Sequence, residues 1–276
     1  MARRDLRNSS QYWWDRHLTG LSLLCADFTT HEYPRHTHEA MVVAVTEQGG
    51  SVVESRGRVE EARASTLFVF NPAEPHAGWM GRSERWRYRS FYLTQHALDR
   101  LADALGVERV PYFVCNMFGD ADLIEGFLVL HRAMEEGQDA FWQRELLAAS
   151  FGKLFGRHGS GGDPIPPAPR DRRLLHQVRE RVHADFACDL RLENLAAEVG
   201  LSTFQLIGLF KRTTGLTPHT YLTQIRLNEA CRLLRRSRPI AQVAADVGFY
   251  DQSALNRHFK RVFGITPLQF ARAATG

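Results

Sequence analysis

The chain has few cysteines. Cys25, Cys115, Cys188 and Cys231 are scattered singly along its 276 residues. No two have the close spacing of a zinc-ligand pair, and the set does not read as a disulfide framework, so free thiols in a reducing compartment are expected. Long apolar runs are also missing. None approaches the roughly 20 residues of a membrane-spanning helix, and the opening MARRDLRNSSQYWW lacks the apolar core of an export signal. A cytoplasmic location with no membrane partner is the expectation. No phosphate-cradling loop, nucleophile–base motif or complete metal-ligand set occurs, which argues against an enzyme and leaves no catalytic residue to name. What is present is globular composition, 44% apolar and 24% charged, in a chain long enough for two domains with full cores.

Charge is divided unevenly. From Arg170 onward there are 17 Lys and Arg against 9 Asp and Glu, a net +8, whereas the first 169 residues hold 18 against 22, a net −4. A basic last third behind an acidic front suits a nucleic-acid module joined to something else. Many solvated helices are basic, so charge only agrees with a stronger signal, a stretch that occurs twice. Leu195–Pro218 contains LAAEVG, LS and FKRTTGLTP; Val243–Pro267 contains VAADVG, FYD and FKRVFGITP. Self-similarity of this length is one structural unit used twice.

Each copy carries helix punctuation. An alanine-rich helix is predicted to end at Gly200 or Gly248, and Ser202 or Asp251 then serves as N-cap of a second helix closing near Gly215 or Gly264. Ser202 with Gln205 fits a capping box. Helix, tight turn and helix is the helix-turn-helix pattern, whose second helix enters the DNA major groove. Leu206, Phe210, Leu255 and Phe259 have the spacing of core residues. A long helix predicted over His219–Arg236 would hold the two units at a fixed separation, as reading two successive major grooves roughly 34 Å apart requires.

The stretch from about Leu190 to Ala271 resembles the DNA-binding domain of AraC/XylS-type transcriptional regulators, and PIAQVAADVGFYDQSALNRHFKRVFGITP, Pro239–Pro267, is close to that family's signature. The resemblance implies outward, base-facing positions at Phe204, Ile207 and Gly208 in the first unit and at Gln252, Ser253, Asn256 and Arg257 in the second. Arg257 suits bidentate donation to guanine, and Gln252 or Asn256 suits adenine. Lys211 and Lys260, near the helix ends, suit phosphate. Gly208 is a departure, since family members often carry Arg there. It leaves the first unit with apolar contact or close backbone approach, and plain helix packing is the alternative for Phe204 and Ile207.

Upstream, short β-prone runs at Leu21–Phe28, Ala40–Glu47, Ser51–Ser55, Thr66–Phe70 and Arg87–Leu93 suggest a small sandwich or barrel, with a turn expected at Gly49–Gly50. Helical patterns follow over Gln95–Leu105, Ala121–Glu136 and Ala140–Arg157, then the Gly/Pro-rich GSGGDPIPPAP, Gly159–Pro169, as linker. Pro34–Glu39 (PRHTHE) and Asn71–His76 (NPAEPH) resemble the two motifs of the cupin-type sensor domain of the same family. The expected architecture is α+β: a cupin-like effector-binding barrel over 1–94, a helical dimerisation and linking segment over 95–158, the linker 159–169, and an all-α double helix-turn-helix domain over 170–276.

His36 and His38, two apart on a strand, share a face. With His76 they suit a metal chemically, yet the metal-dependent motif asks for a Glu where this chain has Val42 and Val43. No metal and no cofactor is therefore expected, and His36, His38, His76 and Trp79 are assigned to a small polar effector. Holding turns is the alternative for each His. A cupin isomerase or oxygenase with a DNA-binding tail is the competing class, and a constitutive DNA-binding protein whose front domain only dimerises is a third. The expected function is a transcriptional regulator, an activator by resemblance. Its expected partners are double-stranded operator DNA, a small-molecule effector, a second copy of the chain and RNA polymerase.

Overall fold

The computed structural model describes residues 8–159 and 169–275, so the expected linker falls, apart from its two end residues, outside the described residues. The chain divides into two compact units. The first is built on β1 (Ser9–Trp14), β2 (Leu21–Phe28), β3 (Glu32–His36, of which Pro34–His36 group with the second unit), β4 (Met41–Ser55), β5 (Arg58–Arg63), β6 (Thr66–Phe70), β7 (His76–Trp79), β8 (Trp86–Leu93) and β9 (Met117–Phe118). Their main path runs β1-β2-β8-β4-β6-β9, with β5 and β7 also on β4 and β3 on β7. The central strands are apolar almost throughout because both faces are covered. On one face Leu21, Leu23, Met41, Val43, Val45, Leu67, Val69, Phe91 and Leu93 form a core with the helices α1 (Gln95–Leu105), α2 (Ala121–Glu135) and α3 (Ala140–His158). The alternate residues turn to the barrel interior.

Expectation and structure part at Gly49–Gly50. No turn forms there; β4 continues through both glycines, pairing with β6 and β8 up to Gly49 and with β5 and β7 from Gly50 onward. The ladder shifts register between Thr46 and Gln48, and Gly49 adopts φ +74°. A Cβ at Gly49 would lie 1.6 Å from the Arg85 carbonyl oxygen, so the glycine permits close approach of two backbones inside a bent strand.

A polar cluster ties α2 to the sheet. The His131 Nε2–H donates to the Leu24 carbonyl (3.2 Å) and Nδ1 accepts from Arg89 (3.0 Å). Burial, then the Arg89 charge, pulls His131 down to about 3, so it stays neutral. Arg89 also pairs with Glu47 and Glu135. Burial alone would push the Glu47 carboxyl up, but Arg132, Arg89 and Arg87 together hold it below its ordinary range. The apolar positions of α3, among them Leu147, Phe151, Leu154 and Phe155, are spent on this core; Trp142 on α3 and Val129 on α2 face out.

The second unit has seven helices among the described residues: α4 (Pro169–Asp185), α5 (Leu192–Glu198), α6 (Thr203–Thr214), α7 (Pro218–Arg235), α8 (Ile240–Asp246), α9 (Gln252–Phe263) and α10 (Pro267–Thr275). Leu195, Leu206, Leu209 and Phe210 pack with Leu175, Val178 and Val182 of α4. Val243, Leu255 and Phe259 are the buried counterparts of Leu195, Leu206 and Phe210 in the second copy, and Val262 is buried as well. Helix α7 begins with Pro218 in its first turn and packs against α6, α8, α9 and α10, which makes it the connector of the two copies.

Candidate functional sites

The repeat folds as two helix-turn-helix units, α5–α6 and α8–α9. The Ser202 side chain accepts from the Gln205 N–H (3.2 Å) while the Gln205 side chain accepts from the Ser202 N–H (2.9 Å), a complete capping box. Asp251 accepts from the Ala254 N–H at 2.6 Å. The two helices close on Gly215 and Gly264 in the left-handed conformation. In the second unit Gly248 has φ +82°, and a Cβ there would lie 2.7 Å from the Ala187 carbonyl oxygen. That contact explains why glycine is needed in the α8–α9 turn.

With Leu255, Phe259 and Val262 buried, α9 turns Gln252, Ser253, Arg257 and Lys260 outward, with Asn256 half-buried beside them. These are the residues expected from the sequence, and they share one helical face. In α6 the corresponding face carries half-buried Ile207 and Gly208, then exposed Lys211 and Arg212. The Phe204 side chain lies outside the described residues. Arg212 was not among the expected site residues: its Nη1 lies 3.2 Å from where a Gly208 Cβ would be, and its Nη2 donates to Asp171 at 3.2 Å. A guanidinium thus lies over the bare position at Gly208. Tyr250, the residue inserted in the second copy, is 97% exposed on the turn leading into α9.

In the barrel, the NPAEPH motif mostly builds structure. Asn71 Nδ2 donates to Glu74 (2.7 Å) and to the Phe113 carbonyl (2.9 Å), and its Oδ1 accepts from the Phe113 N–H (2.9 Å). Glu74 also accepts from Ser55 (2.7 Å), Asn116 (2.7 Å) and Arg56 (2.5 Å). Burial would raise the Glu74 carboxyl, but Arg56, Asn71 and Ser55 outweigh it and hold the group below its usual range. This node fixes the entry to β7 and so the position of His76, whose Nδ1 is 2.9 Å from the Glu74 carbonyl and whose ring stacks on Phe70 at 4.0 Å.

His36, His38 and His76 come together: one ring nitrogen from each lies within 4.8 Å of the others. His36 and His76 are buried and His38 half-buried. Trp79 does not join them. It stands three residues beyond His76 on β7, and strand alternation puts it on the opposite face. The aromatic wall comes from β8 and β3. Trp86, Tyr88 and Tyr92 alternate on one face of β8; Tyr33 shares a 2.5 Å hydrogen bond with Tyr88 and packs edge-on against Trp86, and Tyr92 meets the His38 ring at 5.3 Å. The period-two spacing of 86, 88 and 92 was the available signal. Burial raises all three tyrosine pKa values, so the hydroxyls stay protonated. Thr46 Oγ1 and Trp86 Nε1, buried on the same face, have no hydrogen-bond partner among the described residues. Orphaned polar atoms in an aromatic cavity suit a small polar ligand.

Comparison with known proteins finds a match for each of the two regions. Residues 195–273 match a helix-turn-helix domain model, and residues 18–152 match the model described as the AraC-like ligand binding domain. The HTH-type transcriptional regulator YbfI of Bacillus subtilis is 26% identical over 224 residues, 80% of this chain and 81% of that protein. The HTH-type transcriptional activator RhaR of Escherichia coli is 30% identical over 140 residues, about half of each chain (49%). Among solved structures, ToxT from Vibrio cholerae O395 superposes with a TM-score of 0.52 at 12% identity, over 98% of this chain and 99% of ToxT, a likeness of fold alone. No helix among the described residues is long and apolar enough to cross a membrane.

Proposed function

We propose, because this chain belongs to the AraC family of transcriptional regulators and is not an enzyme, that it reads double-stranded promoter DNA with α9 as its principal reading helix. The observation that carries this reading is the division of α9 into a buried face, Leu255 and Phe259, and an outward face of Gln252, Ser253, Arg257 and Lys260. Arg257 donates to a guanine edge, Gln252 and Asn256 contact adenine, and Lys211 and Lys260 neutralise phosphates. Helix α6, with Phe204, Ile207 and Gly208 at its reading positions, supplies close approach and orientation more than base recognition.

The barrel interior holds a small polar effector between His36, His38 and His76 on one side and Tyr33, Trp86, Tyr88 and Tyr92 on the other. The buried orphan atoms of Thr46 and Trp86 support this pocket. Effector binding shifts the population between two arrangements of a homodimer, by an amount set by its differential affinity for them. The outward faces of α2 and α3 supply the dimer contact, RNA polymerase is the further partner, and the outcome is activation, as for the transcriptional activator RhaR.

Footprinting of the full chain on the DNA flanking its own gene tests the reading. Protection over about two helical turns that survives competitor DNA is expected. Protection confined to one turn would assign base reading to α9 alone. Absence of specific protection across a range of salt on this DNA and on a random-sequence selection library would overturn the proposal.

A further inference from the structure

On the side of the sheet that the helices cover, a cleft of about 580 Å³ opens between α1, α3 and the β1–β2 loop. We propose that this cleft is a second small-molecule site, separate from the barrel interior, and that it takes a small organic acid. The carboxylate lies between Arg100 and Arg144, and the apolar body lies on Leu101, Met134 and Leu147. The site does not depend on the barrel holding an effector.

Shape is the first observation. The end of α1 touches the middle of α3, where a Cβ on Gly152 would lie 3.4 Å from the Leu105 side chain. Toward their first turns the helices part, and His96, Arg100 and Ala104 line the opening opposite Ala140, Arg144 and Ala148. Each trio is spaced by four residues and so forms one stripe along its helix. Leu101 and Leu147, buried in the core shared with the sheet, make the floor together with Met134. The volume falls in the range of roughly 300–1,000 Å³ that small-molecule sites occupy.

The walls are held in place by the protein itself. The Gly20 carbonyl accepts from the Thr94 N–H (3.0 Å), and a Cβ on Gly20 would stand 2.2 Å from Thr94 Oγ1. The β1–β2 loop therefore lies tight against the start of α1. Inside that loop Asp15 Oδ2 accepts from the N–H groups of His17 (2.8 Å) and Leu18 (2.5 Å). On the other wall Gln143 is buried, and its Nε2 donates to the carbonyls of Gln138 (2.7 Å) and Ala133 (3.4 Å). That carboxamide fixes the connection from α2 to α3. A cleft formed in advance loses little affinity to ordering.

Charge is the second observation and is independent of shape. The first 169 residues carry a net −4. This cleft nonetheless gathers Arg100, Arg144, His17 and His96 against one carboxylate among the described residues, Asp15, whose Oδ2 is used within its own loop. Arg100 and Arg144 are exposed and form no hydrogen bond or ion pair with another described residue. Two unpaired guanidinium forks above an apolar floor suit an amphipathic anion. A planar carboxylate meets such a fork in two-point contact. Inorganic phosphate would satisfy the arginines but leave the floor of Leu101, Met134 and Leu147 in contact with water, so the floor decides for an organic acid.

The test titrates hydrocinnamate into the full chain and follows binding by saturation-transfer NMR. An acid of that size, at ordinary ligand efficiency, should bind with a Kd on the order of 1–10 mM. Arg100→Gln and Arg144→Gln should each weaken binding about tenfold, the loss of one charge-assisted contact. Ala104→Trp, at an exposed position on the rim, should fill the cleft and abolish binding. Arg82→Gln, exposed between β7 and β8, should change nothing. Circular dichroism spectra and melting temperatures like those of the parent separate these losses from unfolding. Hydrocinnamyl alcohol, the uncharged analogue, should bind about tenfold more weakly than the acid. The proposal is overturned by an absence of saturation in that range, or by saturation that survives all three cleft substitutions and so puts the acid elsewhere. Alcohol binding as tight as acid binding overturns it too, as does displacement of the acid by an equal concentration of inorganic phosphate, which would make the cleft a bare anion site. DNA protection is measured separately, so failure here leaves the DNA-reading function standing.

Discussion

Helices α6 and α9 each start on a side-chain cap, bury a Leu and a Phe four residues apart, and close on a glycine, yet the faces they leave outward differ in kind. Gln252, Ser253, Asn256 and Arg257 give α9 donors and acceptors for base edges. Ile207 and Gly208 give α6 no such groups, and the Arg212 guanidinium lies over the glycine. The caps differ as well. The Asp251 carboxylate offsets the positive end of α9, whereas the neutral Ser202 leaves that end of α6 uncompensated and more favourable to phosphate. Duplication therefore kept what the fold needs, the inward pair and the caps, and left the outward positions free to diverge. In the proposed function, one unit reads and the other positions.

The comparison is tested most severely through its shared part. Phe210→Ala and Phe259→Ala remove fully buried rings and should each cost about 3–5 kcal/mol. Urea unfolding of the two variants should give similar losses, and a large loss at one site only would show that the units do not share a packing plan. Next comes the reading face. Arg257→Ala should cost about 1–3 kcal/mol of specific DNA binding and relax preference at one base position, while Ile207→Ala changes affinity little and preference not at all. A profile over single-base operator variants decides between them, and an unchanged profile for Arg257→Ala would remove α9 from the reading role. Gly208→Ala should stabilise the protein by about 1 kcal/mol through helix propensity. The nearest obstacle to the added methyl is the mobile tip of Arg212 at 3.2 Å, and a fall in melting temperature would show that the guanidinium cannot give way. The smallest effect, Lys211→Ala or Lys260→Ala, should weaken binding evenly across sequences and lower the salt slope by about 0.9 each.

What the sequence made legible was the part built from local signals. The repeat, its caps and its outward residues could be read because a helix records its inner face and its ends within a dozen residues. The barrel was only half legible. Strands β2 and β6 are largely apolar runs and β8 is rich in aromatics, so all three stand out. Strand β5, Arg58–Arg63, is a charged and largely exposed edge, β7 is four residues long with a glycine inside, and β3 carries Pro34. Each owes its conformation to a neighbouring strand and not to its own pattern. The same cause misplaced Trp79. His76 and Trp79 are close in sequence, but an odd separation on a strand sends them to opposite faces, and that strand was not recognised. The three histidines could be named together from the two motifs; the Glu74 carbonyl that lies against His76 Nδ1 depends on strand geometry that no spacing reveals.

The pairing of β2 with β8 has a consequence in time. Leu21 lies opposite Leu93, so β2 cannot complete its second edge until the chain has been made through β8. At about 5–20 residues per second, synthesis leaves that edge waiting for several seconds. The strand's apolar residues are uncovered throughout, the condition under which chaperones act. The helical unit, made last, has contacts mostly between successive helices, and low contact order speeds folding. The hypothesis is that amides of α6 and α9 gain protection from hydrogen exchange before those of β2 when the full chain refolds. The reverse order in a pulse-labelling experiment would refute it. The half that senses is then the slow half to mature, and the half that binds DNA is competent first.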